Sequence, residues 1–231
     1  DLLRSQQLTL VQTLLEQTAM PRFRLSSLEP IELSDRLLEL FQEQRLCSHF
    51  HMSIQSVHTR ILGLMKRKYG FREVQKALLQ IDKKVPGAFV GMDVIAGFPG
   101  ESDFEFEVSV KRLRDLPWSR IHAFPYSPRK GTYATRLGGH FDRSLIMARA
   151  KELRKLSGER LQTKALEQVG SVKKVLLLAN KNGRIQGLSR DYWSLQLNDS
   201  RLQDVLGQEV LAKVCGSDLS GQQGGETNLL A

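Results

Sequence analysis

Ala88-Phe89-Val90-Gly91-Met92-Asp93-Val94-Ile95-Ala96-Gly97-Phe98-Pro99-Gly100-Glu101-Ser102-Asp103-Phe104-Glu105 is the stretch on which the fold turns. An extended apolar run over Ala88–Ala96 meets a glycine and proline turn, and Ser102 with Glu105 then forms the Ser-x-x-Glu box that starts a helix. The same unit recurs on both sides. Extended runs fall at Arg22–Ser27, His49–Ile54 and Arg120–Tyr126. Helices are expected over Asp35–Arg45 with Ser34 as N-cap, His58–Arg67 and Phe71–Lys83. A long helix should run from a cap at Asp142 through Leu145, Ile146, Leu153, Leu156 and Leu161. Strands alternating with helices define an α/β fold around a parallel sheet. Beyond about Gln168 the texture changes to short strands and tight turns, with Asn182-Gly183 as a hairpin signal and Gly221 to Ala231 as a loose tail. Two domains are therefore expected, 1–168 and 169–231.

Within His49-Phe50-His51-Met52-Ser53-Ile54, one strand face carries His49, His51 and Ser53 and the other carries Phe50, Met52 and Ile54. Arg22 and Arg24 split from Phe23 and Leu25 in the same way. Parallel strands covered on both sides read as continuous apolar runs, so one face of this sheet must meet something polar. A barrel with a polar ligand in its lumen fits, and such ligands sit at the carboxyl ends of the strands. Two loops follow those ends. Gly97 to Glu101 lets a ligand approach the main chain, and equally describes a Pro-Gly turn feeding a capping box with no ligand. Ile121 to Thr132 is rich in aromatics and cations, which suits stacking on a base or holding a phosphate. His49, His51 and His122 are candidate ligands or bases, or buried hydrogen-bonded histidines.

The 231 residues carry 41% hydrophobic and 26% charged side chains, enough for a real core. No apolar run is long enough to span a membrane and no signal-peptide pattern opens the chain, so a cytoplasmic location is expected. Two cysteines, Cys47 and Cys215, define neither a disulfide framework nor a metal site. The net charge of +9 favours a polyanion such as nucleic acid. Residues 169–231 hold seven Lys/Arg and six Asp/Glu, so the basic surface belongs to the larger domain.

Four ordered blocks resemble the radical S-adenosylmethionine (SAM) methylthiotransferases: Arg22 to Pro30, His49 to Ser56 with Met65 to Tyr69, Gly97 to Glu101, and Tyr126 to Thr132. The resemblance implies a partial (β/α) radical-SAM barrel followed by a small all-β TRAM (OB-like) barrel that binds RNA. It implies SAM as cofactor, with Ser27, Glu29, Gln55 and Arg67 toward its ribose, amino and carboxylate groups. Ile95 would press on the adenine, Gly97 would leave room for it, and Tyr126 would meet its edge. In the second domain Lys173, Lys174, Lys181, Arg184 and Arg190 would contact phosphates and Tyr192 would stack a base, while alternation with Leu195 and Leu197 puts Trp193 in the core.

Family members hold a [4Fe–4S] cluster on a Cys-x-x-x-Cys-x-x-Cys loop, and this sequence has none. The chain is therefore expected to be a C-terminal portion starting near the second barrel helix, with two [4Fe–4S] clusters in the full-length parent and none here. No catalytic residue is assigned. The parent is expected to cleave SAM and methylthiolate a threonylcarbamoyladenosine beside the anticodon, with the tRNA anticodon stem-loop as partner. The alternatives are a non-catalytic RNA-binding module, or a methylthiotransferase acting on isopentenyladenosine tRNA or on a ribosomal protein. The first strand should expose an unpaired edge, and the barrel should not close.

Overall fold

The computed structural model describes residues 2–181, 184–218 and 228–230. Three parallel strands, β1 (His49–Gln55), β2 (Phe89–Ala96) and β3 (Arg120–Pro125), pair in chain order. Around them lie α1 (Leu2–Gln17), α2 (Asp35–Glu39), α3 (Thr59–Leu64), α4 (Phe71–Lys84), α5 (Asp103–Asp115) and α6 (Arg143–Leu166). Phe50, Met52 and Ile54 of β1, Val90, Met92 and Val94 of β2, and Ile121 and Ala123 of β3 point to one side. There they share a buried core with Leu38, Leu78, Ile81, Leu113, Trp118 and Leu153. The opposite side carries His51, Asp93 and His122, the polar face that strand alternation predicts.

Two helices start as expected, since Ser34 Oγ accepts from Leu37 N–H at 3.2 Å and Ser102 Oγ accepts from Glu105 N–H at 3.3 Å. Asp142 occupies the N-cap of α6 without a side-chain cap hydrogen bond. The Asp35–Arg45 helix ends at Glu39 and passes into a 3-10 turn over Leu40–Gln42. The His58–Arg67 helix is α3 alone, because Lys66 turns the chain at φ 60°.

Arg22–Ser27 is not a strand. Only single bridges, Phe23 to Leu46 and Leu28 to Met52, join this segment to the chain at and before β1. Ser27 at φ 60° breaks the extended backbone, and the Arg22 guanidinium reaches across to carbonyl oxygens of Leu188 and Ser189 at 3.2 and 3.1 Å. The sheet therefore begins at β1, whose outer edge is partly covered by Leu28: its N–H donates to His51 O at 2.9 Å and its carbonyl accepts from Ser53 N–H at 2.8 Å. Among the described residues the parallel sheet has three strands and does not close.

The second domain holds β4 (Val172–Lys181), β5 (Arg184–Ser189), β6 (Ser194–Leu197), β7 (Glu209–Lys213), β8 (Gly216–Asp218) and β9 (Asn228–Leu230). They form one sheet in the order β7-β4-β5-β6-β9-β8, antiparallel except where β9 runs parallel to β6. Lys181 pairs with Arg184 across the hairpin, whose Asn182 and Gly183 lie outside the described residues. Gly187 permits close approach of β4, since a Cβ there would stand 2.3 Å from Val175 Cγ1. The expected loose tail is corrected at Asn228–Leu230, which forms β9 and supplies partners to the open backbone groups of β6 and β8. Trp193 is buried in this domain's core with Val175, Leu177, Leu195 and Leu197, and that core extends to Phe89 of β2 and Leu161 of α6.

Candidate active site and RNA interface

The turn after β2 is the best-fixed part of the carboxyl end. Glu101 is buried, accepts from Gly97 N–H at 3.3 Å, and meets Arg149 Nη1 of α6 at 3.0 Å. The same nitrogen donates to Glu101 O at 2.9 Å, while Arg149 Nη2 donates to Asp103 at 2.6 Å. Burial raises the Glu101 carboxyl from its usual range to about 7, with Arg149 and the Gly97 N–H pulling against it. Glu105, besides closing the capping box, binds the Arg60 guanidinium, which holds its carboxyl at about 2. Gly97 has φ 72°, and a Cβ there would stand 2.9 Å from Ile146 Cγ1 and 3.1 Å from Ile146 Cα. A side chain at Gly97 would run into α6, so helix packing by itself calls for a glycine there.

Of the other cofactor candidates, Gln55, Ile95 and Tyr126 lie at this end of the sheet. Gln55 ends β1 at φ 67°, and Ile95 pairs in register with Phe124 on the polar side of the sheet. Tyr126 N–H donates to Ala96 O at 2.9 Å. Its ring meets Phe98 edge-on at 5.5 Å, and its buried hydroxyl has no hydrogen-bond partner among the described residues. Arg67 forms an ion pair with Glu29, so two of the candidates hold each other; Ser27 is exposed beside them in sequence. Below this rim, His51 Nε2 lies 2.9 Å from Asp93 Oδ1, which raises the His51 pKa, and the His122 ring stands edge-on at 5.6 Å. Burial lowers the His122 pKa, helped by Arg120 and His51. Asp93 was not singled out in the sequence, although alternation along β2 places it on the same face as Gly91 and Ile95.

Three of the six RNA candidates of the second domain are engaged inside the molecule. Lys173 is buried against Asp191 and donates to Gln168 Oε1 at 2.9 Å. Arg190 forks onto Glu209 and also reaches Gln44 O. Tyr192 lies with its ring 3.9 Å from the His49 ring and 4.3 Å from the Arg24 guanidinium. These three residues join or brace the two domains; Lys173 is buried, while Arg190 and Tyr192 stay half-buried. Lys174 and Arg184 are exposed, Arg184 donating to Gln196 Oε1 at 3.0 Å; the side chain of Lys181 lies outside the described residues. The docking contacts that sequence reasoning missed are Arg22 with Glu209 at 3.1 Å and Phe89 with Trp193 at 5.1 Å. His49, buried under them, has its pKa lowered to about 3 by desolvation and then by Arg24.

A model of the radical SAM superfamily matches residues 6–113. The tRNA-2-methylthio-N(6)-dimethylallyladenosine synthase of Campylobacter curvus is 30% identical over 201 residues, covering 86% of this chain and 46% of that protein. The threonylcarbamoyladenosine tRNA methylthiotransferase MtaB of Bacillus subtilis is 34% identical over 139 residues, covering 60% of this chain and 31% of that protein. Coproporphyrinogen III oxidase (HemN) of Escherichia coli, a radical SAM enzyme, shares the fold with a TM-score of 0.55 at 17% identity, over 72% of this chain and 38% of that one. Just under half of the chain thus matches the radical SAM superfamily. The relatives named are tRNA methylthiotransferases, and the chain spans less than half the length of each.

The match implies SAM and iron–sulfur chemistry. The strand-end residues suit SAM in kind, with apolar Ile95 next to polar Gln55 and a buried Tyr126 hydroxyl that has no partner among the described residues, while Glu29 and Arg67 form a separate ion pair. The cluster does not fit: buried Cys47 and exposed Cys215 are the only thiols, and no group of three metal-ligating side chains exists among the described residues. No described helix is long and apolar enough to cross a membrane.

Proposed function

We propose that this chain is part of a tRNA methylthiotransferase in which the carboxyl ends of β1 to β3 hold SAM and the second domain is a TRAM domain. The observation that carries the reading is the gathering of Gln55, Ile95 and Tyr126 at one rim, with the Tyr126 hydroxyl buried and without a partner among the described residues. SAM would supply the methyl group and the reactive fragment. The protein's part is to seat it: Ile95 against the adenine face, Tyr126 at the adenine edge, and the Glu29–Arg67 pair toward the amino acid end, Arg67 suiting the carboxylate. The clusters would be held by thiolates outside these 231 residues, two in the whole enzyme. The whole enzyme would act in the cytoplasm.

The substrate is threonylcarbamoyladenosine next to the anticodon. Ser26 to Pro30 and His122 to Ser127 support that branch, and Arg129 stands where ribosomal-protein enzymes tend to carry an acid. The basic larger domain supports an RNA substrate whose unpaired bases splay into a pocket. The protein of the complete reading frame, assayed on tRNAs bearing each modified adenosine, should methylthiolate the threonylcarbamoyl form. Product only on the isopentenyl form, or only on a ribosomal protein, rejects the assignment. The 231 residues alone should stay colourless after anaerobic iron and sulfide reconstitution and leave SAM intact. A cluster absorbance band would contradict this.

A further inference from the structure

We propose that the loop between β3 and α6, together with Lys66, is the principal RNA-holding surface of this chain, and that its partner is an unpaired RNA loop. The inference rests on the RNA-modifying reading and moves the contact away from the β domain. Between Tyr126 and Arg143 the sequence carries Arg129, Lys130, Arg136 and Arg143 against a single acid, Asp142. All four cations are exposed, and none forms an ion pair among the described residues. That contrasts with Lys173 and Arg190, each closed onto a carboxylate.

The loop is anchored near both ends, where Tyr126 N–H donates to Ala96 O and Gly100 N–H donates to Gly139 O, both at 2.9 Å. Its charges therefore ride on a frame fixed to the rim of the candidate SAM site. Lys66, exposed at the end of α3, places its ammonium 4.1 Å from the Tyr133 ring centre and so ties the α3 corner to the same surface. Two aromatic rings add what phosphate contacts alone lack. Phe124 is 51% exposed and Tyr133 46% exposed. Phe124 also pairs in register with Ile95, so a base stacked on it would lie beside the cofactor candidates. Exposed rings among unpaired cations suit single-stranded RNA, whose bases are free to stack, better than a duplex, whose bases are not.

The test is equilibrium binding of a fluorescent anticodon stem-loop RNA to the chain, measured by anisotropy across a salt series. A blunt duplex of equal length serves as the second probe. Arg129→Ala/Lys130→Ala/Arg136→Ala should weaken stem-loop binding by about tenfold or more and flatten the log–log salt slope by about 2, from roughly 0.7 per phosphate contact on a single strand. Phe124→Leu should cost about fivefold or more with the salt slope unchanged. It leaves the charges in place should the triple variant fold poorly. Lys174→Ala/Arg184→Ala should lose less than the loop variants. If the loop variants bind like the wild type while the β-domain variant carries the loss, the surface is misassigned although the RNA reading stands. If the wild type binds duplex as tightly as stem-loop, the unpaired-loop partner is rejected. Absence of any RNA binding rejects this proposal, and failure of methylthiolation with stem-loop binding intact rejects only the enzymatic reading.

Discussion

At the amino ends of the parallel strands Arg22, Arg24 and Arg190 are all occupied inside the molecule, whereas at the carboxyl ends Arg129, Lys130, Arg136 and Arg143 face solvent without an ion pair among the described residues. Arg22 and Arg24 meet Glu209, Tyr192 and backbone carbonyls of the second domain, and Arg190 of that domain reaches back to Gln44 O. The second group has one acid among it. A cation's role is thus decided by whether the fold brings it a partner, and for Arg22 that partner lies in the other domain. The carboxyl end is in turn held from beneath by a buried clamp, Arg149 with Glu101, and by α6 lying against Gly97.

The largest effect should come from breaking that clamp. Arg149→Met leaves Glu101 buried without its cation and should cost about 3–5 kcal/mol in denaturant unfolding. Because the unpaired carboxyl then favours its protonated form further, the loss should be greater at about pH 8 than at about pH 6. A pH-independent loss below about 1 kcal/mol would show that the clamp does not frame the rim. Gly97→Ala comes next, since it combines a left-handed backbone with a contact at 2.9 Å to Ile146. It should cost about 2–4 kcal/mol, and a neutral thermal unfolding profile would mean that α6 yields easily there.

At the other end, Tyr192→Ala should cost about 2 kcal/mol, less than a fully buried ring. It should also let His49 titrate nearer its ordinary value instead of about 3, as followed by histidine NMR signals. An unchanged His49 would show that the β domain does not keep it dry. The smallest effect concerns His51, whose pKa is raised chiefly by its hydrogen bond to Asp93. Its stabilising contribution is complete below the ordinary histidine pKa and is lost as pH rises through the raised one. Asp93→Asn should remove a few tenths of a kcal/mol from that slope, and stability curves of the two proteins that run parallel over the window would refute it.

What the sequence disclosed was what neighbours in sequence decide. The alternation His49 to Ile54 needs only adjacent residues, and it located both faces of β1. Ser102 with Glu105, and Trp193 alternating with Leu195 and Leu197, were legible for the same reason. Arg22 to Leu25 alternates just as cleanly, yet it forms no strand, because Arg22 and Arg24 answer to partners from Leu188 to Glu209. Tyr192 reads as a free ring until His49 and Arg24 close on it. At Gly97 the sequence allowed either a ligand or a plain turn, and the third occupant, Ile146 of α6, lies far along the chain.

The place of β9 in its sheet sets an order of assembly during synthesis. β1 to β3 pair in the order in which they are made, so the parallel sheet and its core can form while the ribosome is still translating the second domain. β9 lies between β6 and β8 although it follows both in sequence. Until residues 228–230 have emerged, the nascent β domain holds β6 with an open edge and β8 without its neighbour. The sheet that receives Tyr192 and Trp193 is finished first, and the domain that docks on it can be completed only once translation has passed Leu230.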